Sequence, residues 1–227
     1  MIRTCLLLAT LMSIATSPVG AGPHDTHQPS GLTLTPAYAF PLPAPGSYQL
    51  PPIKAAAGGT LLDEAGQPRE LGGLLDGRIT IVGFVYTRCA DVCPAASLDM
   101  ARLQDRVARV GSGSSRLRLI TISFDPDHDT PPVMREYASA LRSTDPAAPE
   151  WLFLTAADHA SLAPLLAAYD QRVNRKPLPD GSANALSHLF RGFLVDPARR
   201  IRNIYSLDFF DPELVLTDIR SLEAERN

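Results

Sequence analysis

The chain has 227 residues, 45% of them hydrophobic and 20% charged, with a formal net charge of −3 at pH 7. That length suits one substantial globular domain and is short for two. The balanced charge offers no basic face for nucleic acid. Three cysteines (Cys5, Cys89 and Cys93) exclude a disulfide-dense scaffold and a four-thiolate zinc site.

The N-terminus reads as a leader. Arg3 precedes an apolar run from Leu6 to Ala15, and Val19-Gly20-Ala21 fits a small-residue cleavage site. The run is about 10 residues long, against the roughly 20 of a membrane-spanning helix. A signal peptide is therefore expected over residues 1–21, giving a periplasmic or otherwise exported protein, soluble after cleavage. Cys5 lies before the apolar run, not after it as in a lipoprotein acceptor, and leaves with the leader. Residues 22–52 hold Pro23, Pro29, Pro36, Pro41, Pro43, Pro45, Pro51 and Pro52. Proline removes donors and fixes φ, so a flexible Pro-rich arm is expected there. His24 and His27 fall in that arm and read as solvated, since Pro23 lacks the amide that an N-terminal copper(II) chelate needs.

The body, residues 53–227, alternates strands and helices. Thr60 to Leu75 is short and turn-rich, as in a hairpin. Ile79 to Tyr86 is almost continuously apolar, the mark of a strand buried on both faces. Pro94 suits a first helical position, and Cys93, Ala96, Met100, Leu103, Val107 and Val110 form one helical stripe ending at Gly111-Ser112-Gly113. Leu117 to Phe124 is a second strand. Pro131 to Leu141 reads as a helix capped by Asp129 or Thr130. Trp151 to Leu154 is a third strand. A helix follows over Asp158 to Tyr169, with Pro164 kinking it or delaying its start. Leu189 to Val195 and Ile201 to Ser206 pair across Asp196-Pro197-Ala198-Arg199, and Asp211-Pro212 caps a last helix. This order predicts a thioredoxin-like three-layer α/β sandwich with an N-terminal hairpin extension.

Cys89 and Cys93 stand where the buried strand hands over to the helix. Spacing i, i+4 across a first turn brings both sulfurs to one side. A helix N-terminus favours negative charge, so both thiols are expected to ionise more easily than free cysteine. Such a pair can exchange disulfides, hold a soft metal, or form a plain structural disulfide. Thioredoxin-type redox motifs have two intervening residues; three relax the geometry and suit a metal, for which two thiolates are an incomplete set.

The segment Gly83-Phe84-Val85-Tyr86-Thr87-Arg88-Cys89-Ala90-Asp91-Val92-Cys93-Pro94 resembles the signature of the Sco (SenC) family of copper-binding assembly proteins. The likeness continues in Ile122-Ser123-Phe124-Asp125-Pro126-Asp127-His128-Asp129-Thr130-Pro131. It ends in a histidine before a strand that closes with Leu194-Val195-Asp196-Pro197. It covers about residues 48–206. The resemblance implies that Cys89, Cys93 and His188 bind one copper ion, as Cu(I) or Cu(II). It further implies assistance to the CuA centre of cytochrome c oxidase, by copper delivery or by reduction of its thiols. Expected partners are the copper-bearing oxidase subunit or another exported copper protein, with other copper carriers or thiol reductants upstream. By its chemistry alone a lone loop histidine is as readily solvated as ligating; the likeness makes His188 the ligand.

Two positions depart from the family pattern: Ala90 where proline is usual, and Ser187 where aspartate is usual. Ser187 removes a carboxylate beside the histidine, and a carboxylate there orients an imidazole ligand. Asp91, Asp125 and Asp129 remain as candidate acceptors, although Asp125 and Asp129 also suit turn and cap roles. Two functions stay open. A copper metallochaperone needs His188, whereas a thiol–disulfide oxidoreductase using Cys89 and Cys93 as its redox pair does not. A peroxiredoxin-type peroxidase does not fit, because neither cysteine has the required proline and hydroxyl residue upstream.

Overall fold

The computed structural model describes residues 41–89, 92–111, 116–177 and 184–225. The leader expected over 1–21 and the first part of the arm lie outside these residues, as do Ala90 and Asp91. In chain order the elements are β1 (Lys54–Ala55), β2 (Thr60–Leu62), β3 (Pro68–Glu70), α1 (Leu71–Leu75), β4 (Ile79–Val85) and α2 (Val92–Val110). Then come β5 (Leu117–Ser123), α3 (Pro131–Ser139), β6 (Glu150–Leu154), α4 (His159–Ala168), β7 (Asn174–Pro177) and β8 (Asn184–Ser187). The chain closes with β9 (Gly192–Val195), β10 (Arg200–Tyr205), a 3-10 turn (Leu207–Phe209) and α5 (Pro212–Ala224).

Six strands form one sheet in the order β1-β10-β9-β4-β5-β6. β4, β5 and β6 run parallel, while β9 runs antiparallel to β4 and β10 antiparallel to β9. All seven residues of β4 are buried, as its unbroken apolar run requires. Ile79 and Ile81 join the core that α2, α3 and α5 cover with Leu103, Met134 and Ile219. Val82 and Phe84 join the opposite core, covered from α1 and α4 by Leu71, Leu75, Leu162 and Leu165. Helix, sheet and helix make the three layers expected from the sequence, in a thioredoxin-like arrangement.

The hairpin is present as β2 and β3, but its end differs from the expectation: Leu71–Leu75 is a short helix. Leu71, Leu74 and Leu75 are buried, and that packing overrides the turn character of Gly72-Gly73. α4 begins at His159 and runs through Pro164, so the proline does not delay it. Asp158 and Ser161 form a reciprocal capping box at its start. The expected cap of α5 is present, with Asp211 accepting from the N–H groups of Glu213 and Leu214. The last part of the arm is docked, so the compact body begins before residue 53. Tyr48 donates its hydroxyl to Asp218, Gly46 donates to Ser221 at 3.0 Å, and Leu50 is buried.

Candidate metal centre

The topology brings the candidate residues to one end of the sheet. β4 ends at Val85 and leads through Tyr86 to Cys89. β9 is antiparallel to it, with Gly192 opposite Gly83. The chain entering β9 therefore arrives where the chain leaving β4 departs, and His188 lies four residues before Gly192. His188 is buried, and its Nε2–H donates to the Phe84 carbonyl at 3.1 Å. A carbonyl only accepts, so the neutral ring carries its lone pair on Nδ1. The Phe124 ring meets the imidazole edge-on with centroids 4.5 Å apart. Ser187, the departure beside His188, closes β8 opposite Asn174 of β7.

Cys89 and Cys93 are both free and both buried. The N–H of Cys93 donates to the Cys89 sulfur at 3.3 Å. Sulfur thus serves one of the N–H groups that a helix start leaves without an intrahelical acceptor. α2 starts at Val92, two residues before the expected Pro94; within the first turn the missing proline donor costs little. The expectation of easily ionised thiols is corrected for Cys93. Burial, then its bond to Cys89, pushes this thiol up, outweighing the lowering effect of the Tyr86 main chain. Cys93 is 1% exposed, so desolvation outweighs whatever the helix terminus contributes.

The cysteine loop is pinned from the β5–α3 connection. Asp129 accepts from the Thr87 N–H at 2.9 Å, from the Thr87 and Ser123 hydroxyls, and faces His128 Nδ1 at 2.9 Å. Asp125 pairs with Arg88 at 2.7 Å. Thr130, not Asp129, occupies the N-cap position of α3, without a side-chain cap bond. The two aspartates are therefore clamps on the residues preceding Cys89, which is more than the turn and cap roles their sequence context suggests. The readable signal is Asp125-Pro126-Asp127-His128-Asp129 directly after a buried strand. Asp125, His128 and Asp129 bring ligand atoms within 4.8 Å of one another, but their oxygens already serve this clamp.

Tyr86 lies between the two halves of the site. Its hydroxyl donates to the Leu186 carbonyl at 2.7 Å. Its ring packs on Phe124 with centroids 5.1 Å apart. Burial first, then the Cys89 thiol, pushes this phenol up to about 12.

Comparison with known proteins agrees with this architecture. The chain is 30% identical over 144 residues to protein SenC of Rhodobacter capsulatus, covering 62% of this chain and 58% of that one. It is 23% identical over 149 residues to the SCO1 protein homolog of Bacillus subtilis, 65% of this chain and 72% of that one. A Stutzerimonas stutzeri protein is 34% identical over 83 residues, 37% of this chain and 39% of that one. The chain thus spans less than two thirds of the Stutzerimonas and Rhodobacter relatives. Copper-bound ScoI of Bradyrhizobium japonicum superposes with a TM-score of 0.58 at 25% identity, covering 76% of this chain and 98% of that one. Copper-bound ScoI of Arabidopsis thaliana gives 0.64 at 19%, covering 75% and 99%. BsSco, a member of the Sco family of cytochrome c oxidase assembly proteins with a disulfide switch, gives 0.59 at 21%, covering 75% and 95%. The SCO1/SenC family model matches residues 56–224, and the chain belongs to that family.

Proposed function

We propose that this chain is an exported copper metallochaperone. Cys89, Cys93 and His188 hold one copper ion as cargo, and the protein delivers it to the CuA-bearing subunit of cytochrome c oxidase or to another exported copper protein. The observation that carries this reading is the return of β9 antiparallel to β4, which sets a buried histidine beside the strand leading to two free thiols. Two thiolates and an imidazole form a trigonal set that suits Cu(I) and, with a weak further ligand, Cu(II). The bond from His188 to Phe84 fixes the orientation of the imidazole ring. The copper-bound state of the Bradyrhizobium and Arabidopsis relatives supports the choice of ion. The leader at 1–21 supplies export, and the Pro-rich arm at 22–52, its end docked on the body, leads into the copper-carrying domain at 53–227.

A second reading is a thiol–disulfide oxidoreductase that reduces the cysteines of a target copper site. The contact between Cys93 N–H and Cys89 sulfur favours it, since it sets both sulfurs at one helix start. In that step Cys89 and Cys93 give up two electrons and two protons, and the target disulfide becomes two thiols.

Anaerobic Cu(I) titration of the chain without residues 1–21, beside His188→Ala, tests both. The expected result is one tightly bound ion per chain, weakened by the substitution. Equal binding in both proteins removes His188 from the site. Absence of copper binding with turnover of disulfides selects the second reading.

A further inference from the structure

The two-stranded ladder of β7 and β8 is separate from the six-stranded sheet, so main-chain pairing with the sheet does not place it. Yet β8 leads directly into His188. Side-chain contacts must set the distance between this hairpin and the cysteine loop.

We propose that the Tyr86 hydroxyl is the positioning group that couples the two halves of the site. Resting on the copper reading above, this assigns the spacing of the donors to one side chain. Tyr86 stands three residues before Cys89, and the Cys89 N–H donates back to the Tyr86 carbonyl at 3.2 Å. Its hydroxyl reaches across to Leu186, two residues before His188, in a buried bond of 2.7 Å. That hydroxyl has one proton, and the Leu186 carbonyl takes it. The ring completes the link, packing on Phe124, which in turn packs on His188. A phenylalanine would supply the same ring contacts, so the hydroxyl is the part that packing does not explain. Leu186 in the core and the bond from His188 to Phe84 hold the hairpin independently, so loss of the hydroxyl loosens the site without unfolding the domain.

The test compares four proteins: wild type, Tyr86→Phe, His188→Ala and the double variant. In competition titration with a Cu(I) chelator, Tyr86→Phe is expected to bind about tenfold more weakly than wild type. In the His188→Ala background it should have no further effect, because the hydroxyl acts through placement of the histidine. The Cu(II)-loaded Tyr86→Phe protein should also show a shifted sulfur-to-copper charge-transfer band. Unchanged affinity in Tyr86→Phe, or the same loss in both backgrounds, overturns the proposal. Amide hydrogen exchange judges the tether apart from copper. Residues 184–188 should be protected in the wild type and exchange about tenfold faster in Tyr86→Phe. Exchange of these amides at unfolded-chain rates in the wild type also overturns it. A wild type that binds no copper defeats the copper reading, while the exchange comparison still decides the tether.

Discussion

Asp129 accepts the main-chain N–H of Thr87 at 2.9 Å, so a carboxylate 42 residues downstream fixes the backbone two places before Cys89. Asp129 is fully buried and also takes the hydroxyls of Thr87 and Ser123. Asp129→Ala leaves those donors without their acceptor and is expected to cost about 3 kcal/mol. Asp129→Asn keeps one acceptor oxygen and should cost about half as much. Urea unfolding checks both: the midpoint falls while the slope stays constant.

Gly192 permits close packing of Phe210 against β9. A Cβ there would stand 2.7 Å from Cε2 of Phe210, whose ring is buried between Phe190 and Tyr205. The aromatic ring cannot withdraw, so Gly192→Ala is expected to destabilise by about 1–3 kcal/mol. Gly192 pairs with Gly83 at the site end of the sheet, so the strain also displaces the approach to His188. Thermal unfolding reads the first effect, and copper competition reads the second.

Asp218 collects the hydroxyls of Tyr48 and Tyr205 and the side-chain amide of Asn203. Asp218→Ala orphans the buried Tyr205 hydroxyl and is expected to cost about 3 kcal/mol. Tyr48→Phe should cost about 1 kcal/mol alone and close to nothing once Asp218 is gone. A double-mutant cycle in urea measures that coupling. It also tests whether residues 46–50 belong to the folded body, where Tyr48 and Leu50 place them.

Asp196 gives the fold an acid limit. Burial raises its carboxyl, but bonds from the Arg200 side chain and main chain and from Arg202 outweigh it and hold the group below its ordinary value. A depressed carboxylate contributes stability that is complete above the unfolded value of about 3.9 and is lost as pH falls through the folded one. Asp196→Asn should therefore destabilise at pH 7, by about 2 kcal/mol. The difference from wild type should shrink below about pH 4. Urea unfolding at pH 7 and pH 3 provides the comparison.

The parts of this protein that follow from local pattern were legible. The run Ile79–Val85 announces a strand buried on both faces, and Asp211-Pro212 announces a capped helix. The parts set by distant partners were not. The clamps of Asp125 and Asp129 join residues 37 and 42 apart, and nothing near either aspartate names Arg88 or Thr87. The raised Cys93 thiol reflects covering by the rest of the fold, whereas the helix start seen in the sequence argues the opposite. β7 was hidden because Asn174-Arg175-Lys176-Pro177 contains no apolar alternation.

The separateness of the β7–β8 ladder has an evolutionary consequence. Cys89 follows the central strand, Cys93 lies in the first turn of α2, and both belong to the core cluster on that side of the sheet. The hairpin leading into His188 pairs with no strand of the six-stranded sheet and can change sequence without re-registering it. The segment leading into His188 is thus the adjustable part of this architecture, and the sheet beside it is the fixed part.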